Sequence, residues 1–134
     1  MEWKYIKPLL SIELIYEFEN STKYLFPDTF KQFIIKHNGG RPNKSIFDTN
    51  KTKERELKSF LSFNREDKET VWKIIEWNKE ELADKYVPFG IDNYGNTICF
   101  DKENDMVIFV NHEDKSIEII ADGFDNFINK LYTK

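Results

Sequence analysis

Three side chains carry the soft donors that metal binding or nucleophilic catalysis favours: His37, Cys99 and His112. A zinc centre wants three or four such ligands at short, repeated spacings, and these three stand far apart in no such pattern. His37 sits directly before Asn38-Gly39-Gly40, a helix-ending run where an imidazole can interact with the last carbonyls. His112 falls in a polar turn. Cys99 lies within Thr97–Asp101, a run that reads as a buried strand, where a thiol acts as an inert small hydrophobe. The serines, Ser11, Ser21, Ser45, Ser59, Ser62 and Ser116, show no G-x-S-x-G turn. Gly39-Gly40 follows a helix rather than opening one, so it is no phosphate loop. Asp92-Asn93-Tyr94-Gly95-Asn96 has a superficial likeness to a calcium loop, with Glu103 at its twelfth position. Tyr94 occupies a ligand position, however, and a strand interrupts the segment, so it reads as a turn. Carboxylate pairs such as Asp101/Asp105 and Glu113/Asp114 are capable of acid–base work, but with 24 acids in the chain such pairs arise by chance. No catalytic, metal-ligating or cofactor-binding residue is assigned. The basic, aromatic-bearing segment Lys44–Lys68 lacks the aromatic, Arg and Gly order of RNA-binding strands, and Glu54, Glu56, Glu66 and Asp67 dilute its field.

The elements that would position these groups follow from hydrophobic spacing. Leu10, Leu14 and Phe18, with Ile15 beside them, predict a helix from Leu9 or Leu10 to Asn20, with Pro8 and Ser11 suited to its start. A second helix is expected to begin near Pro27, bury Phe30, Phe33 and Ile34, and stop at Asn38-Gly39-Gly40 before Pro42. Ile46-Phe47 is a short strand candidate, and the NKTKERE run reads as a solvated loop. Leu57, Phe60, Leu61 and Phe63 suit a strand, with a helical turn as the alternative. Asp67 or Thr70 is suited to cap a third helix that turns Val71, Ile74, Ile75 and Leu82 inward, with Trp72 and Trp77 on its flanks. Beyond Leu82 the pattern turns to strands. Tyr86–Phe89 is extended, its Pro88 suited to an edge or strand end. Thr97–Asp101 and Met106–Val110 form a hairpin, and Ser116–Ile120 completes a three-stranded meander. Asp122 is placed to cap a last helix carrying Phe124, Phe127, Ile128 and Leu131. The expected fold is a single α+β domain over residues 1–134, a largely antiparallel sheet flanked by N-terminal and C-terminal helices.

Composition agrees. The 134 residues are 40% hydrophobic, 16% aromatic and 33% charged, enough for one core and too rich in large apolar groups for disorder. No run approaches the roughly 18 apolar residues of a membrane span, and the N-terminus has acids within its apolar stretch and no small-residue cleavage site. The only cysteine, Cys99, cannot form an internal disulfide and nothing points to an oxidising compartment, so the expected location is cytoplasmic. Net charge is −4, unfavourable for nucleic acid, and it is unevenly spread. Residues 1–22 carry −2, residues 23–68 carry +5 and residues 69–134 carry −7.

Three blocks in order resemble one family. Pro27-Asp28-Thr29-Phe30-Lys31-Gln32-Phe33 followed by Asn38-Gly39-Gly40-Arg41-Pro42 is similar to the P-x-x-[FY]-x-x-[FL]…N-G-G-x-P block of the SUKH superfamily. Pro88-Phe89-Gly90-Ile91-Asp92 with Gly95–Asp101 resembles its P-[FI]-[AG]-x-D…G-[ND]-x-[IL]-C-x-D block. Val107–Glu113 and Ala121–Phe127 resemble its V-x-[FY]-x-x-H-E…A-x-S-F-x-x-[FL] block. Gly123 stands where serine is commoner, and Phe26 where leucine often precedes the proline. The superfamily groups the yeast cell-wall assembly regulator with many bacterial immunity proteins. The resemblance implies an α+β domain, no catalytic residues, and a cytoplasmic protein whose partner is a cognate polymorphic or contact-dependent toxin domain, often a nuclease. A nuclease grips phosphate with a basic cleft, which an acidic surface can occupy. Between Asp92 and Glu118 seven acids (Asp92, Asp101, Glu103, Asp105, Glu113, Asp114, Glu118) face two lysines (Lys102, Lys115). The turn acids Glu103, Asp105, Glu113 and Asp114, with Tyr94 as aromatic anchor, form the expected contact set. Two other readings stand beside it: a regulatory or scaffolding module without a toxin partner, and a small hydrolase built around a perturbed carboxylate or histidine. The sequence sets neither the oligomeric state nor the toxin's identity.

Overall fold

Alternating apolar residues after Leu82 build the sheet. In the computed structural model, which describes all of Met1–Lys134, β6 (Tyr86–Ile91), β7 (Thr97–Asp101), β8 (Val107–Val110) and β9 (Ile117–Ala121) form an antiparallel meander. β5 (Ser59–Phe60) adds a short edge strand beside β6. Alternation sorts the side chains. Val87, Phe89, Ile98, Phe100, Val107 and Phe109 enter the main core, while Cys99, Ile108 and Val110 join Leu82 in a small cluster of their own. The main core holds 25 buried residues, and eleven of the twelve phenylalanines are among them; Phe33 packs against it. Phe30 alone has Phe26, Phe63, Phe89, Phe100 and Phe124 within 6.3 Å between ring centroids. Most of these pairs are tilted or edge-on, the geometry the ring quadrupole favours.

Pro88 lies in the second strand of the sheet rather than at its edge. It is tolerated at the point where the β6–β7 register shifts, between Pro88 and Gly90. Val87, Phe89 and Ile91 keep the two-residue alternation and enter the core.

The helices enclose this sheet. α1 (Glu13–Thr22) begins later than the spacing predicted. Asn64 accepts from the Leu10 N–H and donates to the Pro8 carbonyl, fixing Pro8–Leu10 outside the helix, and Leu10 is 78% exposed. The stripe therefore runs through Leu14, Ile15 and Phe18, and Leu10 does not belong to it. α2 (Asp28–His37) follows Pro27 as expected and buries Phe30 and Ile34. Gly39 takes φ +70, and a Cβ on Gly40 would lie 2.9 Å from the His37 carbonyl oxygen, so the double glycine is needed both to turn the chain and to pass close to the helix end. The chain before α1 returns here, as β1 (Trp3–Lys4) pairs with β2 (Arg41–Pro42).

β3 (Ile46–Phe47) pairs with β4 (Arg55–Glu56), so part of the NKTKERE run is a strand and not only a solvated loop. The reason is Arg55: its guanidinium stacks 4.0 Å over the Phe109 ring and meets the buried Glu118. Of Leu57–Phe63 only Ser59–Phe60 is strand, though Leu57, Phe60, Leu61 and Phe63 are all buried. Thr70, not Asp67, caps α3 (Val71–Trp77) by accepting from the Lys73 N–H. That helix breaks at Asn78, whose side-chain amide donates to the Ile74 carbonyl, and α4 (Lys79–Leu82) carries Leu82 to the sheet. α5 (Phe124–Lys130) buries Phe124 and Phe127. Asp122 does not cap it. Gly123 holds that position at φ +94 with no side-chain bond, and Asp122 only accepts at its backbone carbonyl from Asn126. The architecture is α+β with an antiparallel sheet flanked by helices at both ends of the chain, as the residue pattern predicts.

Candidate interaction surface

The two hairpin loops of the meander are built alike. After β7, Asp101 accepts from the Glu103 N–H, Asn104 from the Met106 N–H, and Asp105 takes φ +61. After β8, Asn111 accepts from the Glu113 N–H, Asp114 from the Ser116 N–H, and Lys115 takes φ +61. Asp and Asn supply the side-chain acceptors that close such turns. Glu103 and Glu113 therefore occupy equivalent tips, and neither carboxylate accepts a hydrogen bond or forms an ion pair.

An antiparallel meander places successive turns at opposite ends. The expected contact set accordingly divides. Tyr94, Glu113 and Asp114 share one end: the His112 N–H donates to the Asn96 side chain, and Gly95 lies beside the His112 ring. Glu103 and Asp105 lie at the other, roughly 15 Å away along a five-residue strand. Asp105 is also engaged there, accepting from the Tyr24 hydroxyl at 2.6 Å. Of the remaining acids, Asp92 is buried and accepts from the Tyr94 and Asn96 N–H groups and the Asn96 amide, shaping the turn. Asp101 serves its own loop. Glu118 is buried and accepts from Arg55 Nε and Nη2 at 3.1 and 3.0 Å and from Thr49 at 2.6 Å. Burial pushes the Glu118 carboxyl up, but these donors outweigh it and hold it below the ordinary glutamate range.

The end bearing Tyr94 is the richer surface. Tyr94 is 83% exposed, and across the turn from it a cleft of about 340 Å³ is bordered by Trp77, Asn93 and His112. Trp77 is itself 68% exposed on the last turn of α3. α4 is bound to the same end: Glu81 lies 3.4 Å from His112 Nδ1 and Glu80 pairs with Lys115 at 3.2 Å. Sequence spacing left Trp77 a flanking residue. Its position off the Val71/Ile74 stripe did not distinguish it from Trp72, which packs against the core.

The groups capable of covalent chemistry are elsewhere. Cys99 is fully buried, its thiol pushed up to about 12 by burial, with only Thr97 as a polar neighbour. His37 stacks on Trp3 at 4.4 Å with Nδ1 at 3.1 Å from the Phe33 carbonyl oxygen, the helix-end contact expected of it. No three His, Cys, Asp or Glu residues converge in a way that would hold a metal ion, and no helix is long and apolar enough to cross a membrane.

A helix-flanked antiparallel meander with exposed polar turns makes this an α+β domain. The family model SUKH_6, described as SMI1-KNR4 cell-wall, matches residues 12–128, and the chain belongs to this family. No curated protein matches the chain.

Proposed function

We propose that the chain is a non-enzymatic immunity protein that acts in the bacterial cytoplasm by binding a cognate toxin domain and blocking it. The carrying observation is the sheet end at which Trp77 and Tyr94 stand exposed, bordering different clefts around the Asp92–Gly95 turn, with the β8–β9 loop that bears Glu113 at the same end. Exposed aromatics amid acids form the kind of anchor that dominates protein interfaces, and the acids suit the basic cleft of a nuclease toxin. Family membership is consistent with the reading, since the SUKH superfamily that the sequence blocks resemble includes bacterial immunity proteins. The burial of Cys99 and the structural use of His37, Asp92 and Glu118 favour a binding role over hydrolysis.

The test is to purify the chain with the toxin domain encoded beside its gene and measure affinity against salt. Tight binding that weakens as salt rises is expected, with Trp77→Ala or Tyr94→Ala weakening it at least about tenfold. Binding that survives both substitutions and ignores salt would move the contact elsewhere. The family description names the cell wall rather than a toxin, which favours a second reading, a scaffolding module with a housekeeping partner; the absence of any toxin domain beside the gene would select it.

A further inference from the structure

The strongest unassigned feature is a cleft of about 370 Å³ on the flank of the molecule, bordered by Tyr5, Lys7, Arg41, Lys58, Lys68 and Glu69. It is assembled from distant parts of the chain: the turn after β1, the start of β2, the β5 region and the loop before α3. Lys58 donates to Glu69 at 2.7 Å within it. The other three cations have no carboxylate partner, and Lys7 Nζ donates only to the Tyr5 carbonyl at 3.0 Å. The glycine Gly39, at φ +70, forms part of the wall and leaves the cleft open at its base.

We propose that this cleft docks an acidic segment of a partner protein, one presenting two or more carboxylates to Arg41, Lys7 and Lys68. Three observations select that occupant. Glu69 is already a carboxylate bound to one of the cleft's lysines, an internal instance of the contact. The Arg41 guanidinium matches a carboxylate in two-point geometry. The cleft, of about 370 Å³, accommodates a few side chains rather than the length of a polynucleotide. This cleft adjoins the one beside Trp77 and shares the Lys58–Glu69 pair with it, but of the two only this one is lined by Lys7, Arg41 and Lys68, so substitution of Arg41 and Lys68 tests it apart from the toxin-binding reading.

The experiment titrates a glutamate-rich oligopeptide into isotopically labelled full-length protein and follows the amide spectrum. Shifts confined to the amides around Lys7, Gly39, Arg41 and Lys68 are expected, with those of Asn93–Asn96 and His112–Asp114 unmoved. Arg41→Gln combined with Lys68→Gln, two side chains in no internal hydrogen bond, is expected to weaken binding about tenfold or more at low salt without changing the fold. No shifts at low salt, shifts centred away from the cleft, or equal binding by the double variant would overturn the proposal. A single-stranded oligonucleotide of equal charge binding the same amides more tightly would overturn it in favour of nucleic acid. Self-association that protects these amides would overturn it in favour of a second copy of this chain.

Discussion

At the scale of single residues, two buried groups make opposite demands on solvent. Cys99 is sealed into the second face of the sheet, its thiol raised to about 12 by burial. Thiolate, not thiol, is the nucleophile, so a disulfide reagent at neutral pH should leave the folded protein unmodified and label Cys99 only as urea unfolds it. Rapid labelling of folded protein would mean that α4 opens readily from the sheet. Glu118 is the reverse, an acid kept ionised in the interior by Arg55 and Thr49. Glu118→Ala leaves a largely buried guanidinium without its anion and should cost about 2–4 kcal/mol near neutral pH. The folded-state carboxyl lies below its ordinary value, so its contribution is complete above that ordinary value and is lost as the pH falls through the lowered one. The gap between variant and wild type in urea melts should therefore narrow in acid. A pH-independent gap would show that Thr49 and packing, not charge, carry the effect. Hydrophobic spacing gave no warning of this pair, because Arg55 and Glu118 are brought together only by the long excursion of β3 and β4.

Among the elements, those declared by local chemistry matched expectation: α2 between Pro27 and the double glycine, the β7–β8–β9 meander with its Asp and Asn turns, and the Thr70 cap. Those that failed were overridden by partners distant in sequence. Leu10 has the right spacing for α1, yet Asn64 holds its backbone in an incompatible position. Asp122 has the right chemistry for a cap, yet Gly123 makes the turn. The least visible element of all is a buried polar staple. Asn38 donates to the Lys7 carbonyl and to Ser62 Oγ and accepts from the Phe63 N–H, while Ser62 and Asn64 converge on Asp67. In sequence, Asn38 was legible only as part of a helix stop. Asn38→Ala would leave the Phe63 N–H and the Lys7 carbonyl unpaired in the interior, where each orphaned group costs about 1–3 kcal/mol. The expected loss is about 3 kcal/mol in total, with the Phe63 amide exchanging its hydrogen much faster than in the parent. Unchanged exchange at Phe63 would mean that another acceptor replaces Asn38 and that the staple does not join α2 to the Ser62–Asn64 segment.

For the molecule as a whole, the arrangement of charge matters more than its sum. The antiparallel meander separates two equivalent glutamate tips, Glu103 and Glu113, by roughly 15 Å, well beyond the screening length of about 8 Å at physiological salt. Sequence reading could name the acids but not divide them, since the division depends on the parity of strands, which only the assembled sheet reveals. It follows that a partner of ordinary size seated on Trp77 and Tyr94 senses Glu113 directly and Glu103 hardly at all. Glu113→Lys should slow association with the toxin domain and flatten its salt dependence, whereas Glu103→Lys should leave affinity within about twofold, and the double variant should show the product of the two effects. Stopped-flow association rates across a salt series measure this directly. Equal losses from both single substitutions would require a partner that grips both ends of the sheet. Such a partner would have to span β7 along its length, past α4 and the Leu82–Cys99 cluster, and its contact would bury far more surface than the aromatic end alone provides.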